Sequence, residues 1–254
     1  MRALVTFAVE AEFASWRKLR EFKPKQVEDL TVHQAQIGRA QVQVLITGMG
    51  SENARRGMQA VATLPQTICI SSGFAGALKR DYRVGDILVA HSVQELGGHR
   101  TLECARRLNL AAFYAGAKRA KMFLTSSQVI ATTEEKKQLG IFADAVDMES
   151  YAVIEEARCR SLPAVAIRVI SDTVDQEMPI DFSQSVDPRG RVALRGILRQ
   201  IARRPQRLPA VMRLGLASVR AATVLAEFLD PYIKNLSFRS HGEFPVELRK
   251  VAVG

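Results

Sequence analysis

The segment Ala145-Val-Asp-Met-Glu-Ser-Tyr151, followed one helix later by Val165-Ala-Ile-Arg-Val-Ile-Ser-Asp172, decides the fold. The first part is a short apolar run that turns polar at Asp147, Glu149 and Ser150 and opens a helix over Tyr151 to Arg160. The second is an apolar strand of the fully buried kind that stops on Ser171-Asp172. Parallel α/β sheets bind their ligands beyond the carboxyl ends of the strands. Two carboxylates, Glu149 and Asp172, are therefore expected to face one pocket. Taken singly, each has a plainer reading: Glu149 complements the positive end of a helix, and Asp172 caps the next turn.

Upstream of this segment, Arg2 to Ala8 reads as a buried first strand. It runs into Val9-Glu10-Ala11-Glu12 and a helix to about Phe22, with Phe13, Trp16 and Leu19 at helical spacing. Glu10 suits the helix N-terminus, whereas the strand end feeds Glu12 toward the same rim as Asp172. Lys25 to Ile37 and Gln41 to Thr47 read as a hairpin turned at Gly38-Arg-Ala40. Thr47-Gly-Met-Gly-Ser-Glu-Asn-Ala54 is a glycine turn into a helix whose N–H groups at Gly48, Gly50 and Ser51 suit an anion or a water. It lacks the third glycine of a dinucleotide fingerprint. Thr67 to Ser72 is a central strand closed by Gly73 and Gly76, which allow close approach of backbone to a ligand.

Further along, Ile87 to Val93 and Phe123 to Ile130 read as strands, Leu102 to Leu108 as a helix and Thr133 to Leu139 as a short helix. The loop from Thr173 to Asp187 follows the strand end and is expected to cover the site. Residues 1–203 alternate strands and helices and make one α/β sandwich domain, with residues 204–254 appended.

Composition narrows the class. A chain of 254 residues can bury a large single core. Cys69, Cys104 and Cys159 are widely spaced and odd in number, so a reducing, cytoplasmic setting is the default. The N-terminus has no signal-peptide pattern, and no membrane span is expected. The net charge of +10 comes almost wholly from nine arginines between Pro188 and Ala226, where no acidic residue occurs. Such a segment suits anionic headgroups or nucleic acid. Pro188 to Arg203 reads as helical, and a second helix runs from Ala210 to about Tyr232. Arg213, Arg220, Glu227 and Lys234 recur every seven residues on it, giving one polar stripe. That helix fits a core or dimer contact, and equally an interfacial membrane helix whose arginines snorkel to headgroups. A non-catalytic nucleic-acid or membrane-binding protein on a retired enzyme fold is the rival class. The scarcity of aromatics in the arginine run argues against base stacking, and no nucleic-acid partner is expected.

Five ordered blocks now carry a resemblance: Ala8-Val-Glu-Ala-Glu12, Thr47 to Ala54, Ser72-Gly-Phe-Ala-Gly76 with Val84-Gly-Asp-Ile87, Val146-Asp-Met-Glu149, and Val169-Ile-Ser-Asp172. Together they resemble the purine nucleoside phosphorylase and 5'-methylthioadenosine/S-adenosylhomocysteine nucleosidase superfamily over about residues 1–185. The resemblance implies a three-layer α/β/α sandwich with a mixed central sheet, no metal or organic cofactor, and a homodimer. It implies that Asp172, held by Ser171, is the general acid at purine N7, that Glu149 clamps the ribose hydroxyls with Met148 against the sugar, and that Glu12 activates water. Val129 and Ile130 fall where adenine is stacked, with Gly73 beside the base. The basic tail resembles hopanoid-associated members, which remove adenine from adenosylhopane and act as phosphorylases. That implies a lipid-linked nucleoside, with the C-terminal helix touching the inner face of a membrane. Two departures bear on mechanism. The arginine that the phosphorolytic branch carries before the central strand-end glycine is Ser71 here, which favours water over phosphate. The adenine-side aspartate of many nucleosidases is Ser127 here.

Overall fold

Apolar runs bounded by glycine and polar turns build one mixed sheet with helices against it. The computed structural model describes residues 1–180, 190, 199–200, 202–203 and 205–239. In chain order the elements are β1 (Arg2–Phe7), α1 (Glu10–Leu19), β2 (Lys23–Val27), β3 (Leu30–Ile37), β4 (Ala40–Ile46), α2 (Ser51–Ala60), β5 (Ile68–Ala77), β6 (Ile87–Glu95) and β7 (Thr101–Glu103). They continue with α3 (Arg106–Tyr114), β8 (Lys118–Thr125), α4 (Thr133–Leu139), β9 (Ala145–Asp147), α5 (Ser150–Cys159), β10 (Ala164–Asp172), a 3-10 turn at Pro205–Arg207, and α6 (Leu208–Arg239).

The strand order is β10-β6-β8-β9-β5-β1-β4-β3-β2, with β7 on β6. A further pairing of β10 with β5 closes the first five of these strands into a ring. β1, β4, β5 and β10 are parallel across their contacts, so their carboxyl ends open on the same side. All nine residues of β10 are buried, which explains its near-continuous apolar run. The β10–β5 register slips between Ile170 and Asp172, and this irregularity turns Ser171 and Asp172 at the strand end.

The mixed α/β fold is as the sequence implied, and three of the expected elements are built differently. Lys25 to Ile37 is two strands, because Glu28, at φ 51°, turns the chain before Leu30. The strand expected over Phe123 to Ile130 is β8, which begins at Lys118 and stops at Thr125. Ser126 Oγ accepts the Gln128 N–H, and the chain there bends into the cleft described below. The helix expected over Leu102 to Leu108 is instead β7 followed by α3. Of the helical stretch expected over Pro188 to Arg203, only Gly190, the helical pairs 199–200 and 202–203 lie within the described residues.

Helix α6 divides in the middle. Its length and mean hydropathy would let it cross a bilayer. From Ala221 onward, however, Leu225, Ala226, Phe228, Leu229, Tyr232, Ile233 and Leu236 belong to the same hydrophobic core as the sheet. Asp230 accepts hydrogen bonds from Trp16 Nε1 and from both Arg20 Nε and Nη2, and Tyr232 Oη donates to the Leu108 carbonyl at 3.0 Å. The first half is different: Met212, Leu216 and Val219 are more than 60% exposed. Burial along α6 therefore changes near residue 221.

Candidate active site

Two helix starts and one strand end bring Glu12, Glu149 and Asp172 to a single cleft. Each is under 10% exposed. The cleft encloses about 1500 Å³, more than the ~300–1,000 Å³ usual for small-ligand pockets. Its inner wall carries Gly76, Val129, Ile130, Val146, Met148 and Ser171, and its outer wall runs past Leu30, Ile46 and Arg56 to Leu214 and Ser218 of α6.

Asp172 is held by side chains. Ser171 Oγ donates to Oδ1 at 2.7 Å and lies 3.3 Å from the Ala75 carbonyl. Oδ2 receives the Lys136 ammonium at 2.5 Å. Lys136 sits on α4 and has no solvent exposure. It also donates to the carbonyls of Gln176 at 2.7 Å and Thr173 at 3.2 Å, so one ammonium ties α4 to the end of β10 and the loop beyond it. Gly76 leaves room for the carboxylate: a Cβ there would stand 3.0 Å from Oδ2.

Glu12 is held by backbone. Its Oε2 accepts the N–H groups of Ala8 at 2.8 Å and Val9 at 3.1 Å, and Oε1 accepts that of Phe74 at 2.7 Å. The Val9 bond is half of a capping box, with glutamate at the third helical position reaching back to the cap residue. Glu12 thus caps α1 and lines the cleft at once. Gly73 stands against it: φ is 144°, and an added Cβ would lie 2.5 Å from Oε1. Burial pushes the Glu12 carboxyl up, against the opposing pull of the Phe74 N–H and the Arg168 charge.

Glu149 opens α5, and its Oε1 accepts the Gly50 N–H at 2.7 Å. Burial raises its pKa to about 8, helped by the nearby charges of Asp147 and Glu12 and opposed by Arg168. Beneath it, Asp147 Oδ1 accepts from Thr125 Oγ1 and from the N–H groups of Glu149 and Ser150, while Ser150 Oγ donates to Oδ2. Arg168 Nε makes an ionic contact with Asp147 Oδ2 at 2.9 Å, and its Nη2 donates to Ser71 Oγ at 3.1 Å. Fully buried Arg168 thus balances an otherwise acidic floor. Ser71 is a partner in that floor.

The glycine turn before α2 is closed from within. Gly48 N–H donates to the Ala8 carbonyl, Met49 N–H to the Gly190 carbonyl, and Gly50 N–H to Glu149. Ser51 Oγ donates to the Met148 carbonyl at 3.3 Å. Of the sequence-derived residues, Glu12, Glu149, Asp172, Met148, Ser171, Val129, Ile130 and Gly48 line the cleft. Gly50, Ser51 and Gly73 support it from behind. Ser127 is exposed and outside the lining. Sequence reasoning missed Lys136, Asp147 and Arg168 as members of the site. Asp147 and Arg168 lay inside motif blocks, where a charge within an apolar strand was the available signal. Among the described residues, no three His, Cys, Asp or Glu side chains cluster as metal ligands.

The fold that carries this cleft is found in known proteins. Residues 3–203 match the model of the phosphorylase superfamily, and the chain belongs to that family. It is 25% identical to the 5'-methylthioadenosine/S-adenosylhomocysteine nucleosidase of Hydrogenovibrio crunogenus, in an alignment of 232 residues covering 79% of this chain and 98% of that one. Among solved structures, the S-adenosylhomocysteine nucleosidase of Streptococcus pyogenes superposes with a TM-score of 0.72, covering 93% of this chain and 97% of that chain. The futalosine hydrolase of Helicobacter pylori superposes at 0.71, covering 92% and 97%. Both are 17% identical, a level that speaks for the shared fold.

Proposed function

We propose that this protein is a nucleosidase that cleaves the N-ribosidic bond of an adenine nucleoside and releases adenine. The observation that carries the reading is the convergence of Glu12, Glu149 and Asp172 on one cleft whose inner wall is apolar at Val129 and Ile130. The base stacks against Val129 and Ile130, with N7 at Asp172. As the C1'–N9 bond breaks, its electron pair passes to the purine, and the Asp172 carboxyl proton moves to N7. The sugar develops oxocarbenium character, so an acid acting while charge builds lowers the barrier. Glu149 accepts the ribose hydroxyls, with Met148 against the sugar. Glu12 takes a proton from the water that attacks C1'.

Water is favoured over phosphate by the state of the glycine turn. The N–H groups of Gly48, Met49 and Gly50 are spent on internal acceptors, and one of these is a carboxylate. A phosphate there would lie near Glu12 and Glu149, and like charges about 4 Å apart cost roughly 1–4 kcal/mol at effective dielectrics of 80 to 20. Arg56, the arginine of the described lining, is exposed and bonded to Asn53. Product analysis with purified protein tests this reading. Adenine with free ribose sugar is expected, independent of added phosphate. Ribose 1-phosphate formed only with phosphate would establish phosphorolysis instead.

The outer cleft supports a narrower substrate class, a nucleoside with a long apolar 5' group such as a lipid-linked adenosine of the adenosylhopane kind. The lining reaches Leu214 and Ser218, and the same half of α6 exposes Leu208, Met212, Leu216 and Val219 beside Arg213 and Arg220. Apolar side chains flanked by arginines suit an anionic bilayer surface. Phosphatidylglycerol vesicles should retain the full chain more strongly than neutral vesicles, and Leu216→Asp with Val219→Asp should abolish the difference. Equal retention of all samples would remove the membrane argument and leave the nucleosidase reading untouched.

A further inference from the structure

The Lys136 ammonium is buried 2.5 Å from the carboxylate assigned as the acid, and the reaction as written does not use it. A lysine is rarely so fully enclosed unless it is paired. Its three donor sites are spent on Asp172 Oδ2 and on two carbonyls of one loop, those of Thr173 and Gln176. Those carbonyls belong to the chain immediately after Asp172. Met178, two residues further on, lines the cleft, and its N–H donates to Ala131 beside the base-side wall. The lysine therefore fixes both the carboxylate and the segment that roofs the base.

We propose that Lys136 is a positioning residue for base release: it aims Asp172 and supplies the counter-charge for the carboxylate left when the proton passes to N7. The proposal rests on the nucleosidase reading above. The balance is simple. Asp172 starts as the carboxylic acid, its proton goes to N7, and the C1'–N9 electron pair goes to the purine. The negative charge then appears on the Asp172 carboxylate, where Ser171 Oγ already donates to one oxygen and Lys136 Nζ to the other. A donor fixed in advance where charge develops, and shielded from water, stabilises the transition state more than the ground state. The carboxylate–ammonium pair of the structure is the resting arrangement, and proton transfer to N7 restores it. The attacking water passes a proton to Glu12, which returns it to solvent, and Asp172 takes up one proton from solvent as the nucleoside binds, so each turnover balances.

The test compares Lys136→Gln, Asp172→Asn and the double variant on 5'-methylthioadenosine and on 4-nitrophenyl β-D-ribofuranoside. The nitrophenolate group leaves without a proton. For the nucleoside, Lys136→Gln should lower kcat on the order of 10- to 100-fold with KM little changed, less than the ~10²–10⁴ of the acid itself. For the nitrophenyl riboside the same variant should lose several-fold less kcat than it loses for the nucleoside. In the Asp172→Asn background, Lys136→Gln should add no further loss, because the charge it served is gone. This background also covers the case in which Lys136→Gln alone fails to fold, since the double variant has no buried unpaired carboxylate. An unchanged kcat in Lys136→Gln, an equal loss on both substrates, or an additional loss in the double variant would each overturn the inference. Wild-type protein that releases adenine from no nucleoside would instead overturn the nucleosidase reading.

Discussion

Glu12 and Asp172 are carboxylates in one cleft, yet they are fixed by opposite means. Three backbone N–H groups hold Glu12, and two side chains hold Asp172. A backbone cage is insensitive to the identity of most neighbours and fails only where a side chain intrudes. A side-chain clamp can be retuned or lost at a single codon. In the proposed mechanism, the nucleophile side of the cleft is thus built into the fold, and the leaving-group side into the sequence.

The largest expected effect falls on the side-chain clamp. Asp172→Asn should lower adenine release by about 10²–10⁴, measured as single-turnover rates. It should also lower thermal stability, because removing one partner of a buried ion pair costs roughly 3–5 kcal/mol. Restoration of most of that stability by adding Lys136→Gln would sharpen the contrast; no restoration would break it. Next comes the backbone cage. Gly73→Ala places a methyl 2.5 Å from Glu12 Oε1 at a φ of 144°, which an alanine rarely adopts. A displacement near 1 Å costs on the order of 10²-fold in rate, so kcat should fall by that order. Gly76→Ala meets Asp172 at 3.0 Å and at no such φ, so its loss should be smaller. Equal losses in the two glycine variants would contradict the distinction.

Smaller effects belong to Glu149, whose pKa is raised from 4.5 to about 8 by burial and by the charges of Asp147 and Glu12. The folded protein holds this proton more tightly than the unfolded chain. Stability from this group is therefore complete below pH 4.5 and is lost as pH rises through about 8. Melting temperature should decline over that window, and Glu149→Gln should flatten the decline. If the ribose clamp must be ionised, kcat/KM should rise with pH up to about 8 in the wild type. A kcat/KM independent of pH between 6 and 9 would remove Glu149 from that role. The smallest expected effect is Ser127→Asp, which should leave adenine release within about twofold of wild type, since Ser127 is exposed and away from the cleft wall.

The three acids and their glycine-rich surroundings were legible because each lies at the end of an apolar run, where period and punctuation coincide. Lys136 was not, because Thr133-Glu-Glu-Lys-Lys reads as a solvated helix and its partner is 36 residues away. Ser126 to Ile130 continued an apolar strand by pattern, but the chain leaves the sheet at Thr125 to supply the cleft wall. The two halves of α6 look alike in hydropathy. Only the presence of α1, α3 and the sheet beside the second half separates them, and such neighbours are set by tertiary packing.

Ring closure of the sheet has a consequence for assembly. With β10 joined to both β5 and β6, the described strands leave free edges only at β2 and at the three-residue β7. β2 begins Lys23-Pro24-Lys25, a proline between two cations, which repels an incoming strand and denies it a donor. Association with another copy through pairing of the described strands is thereby discouraged.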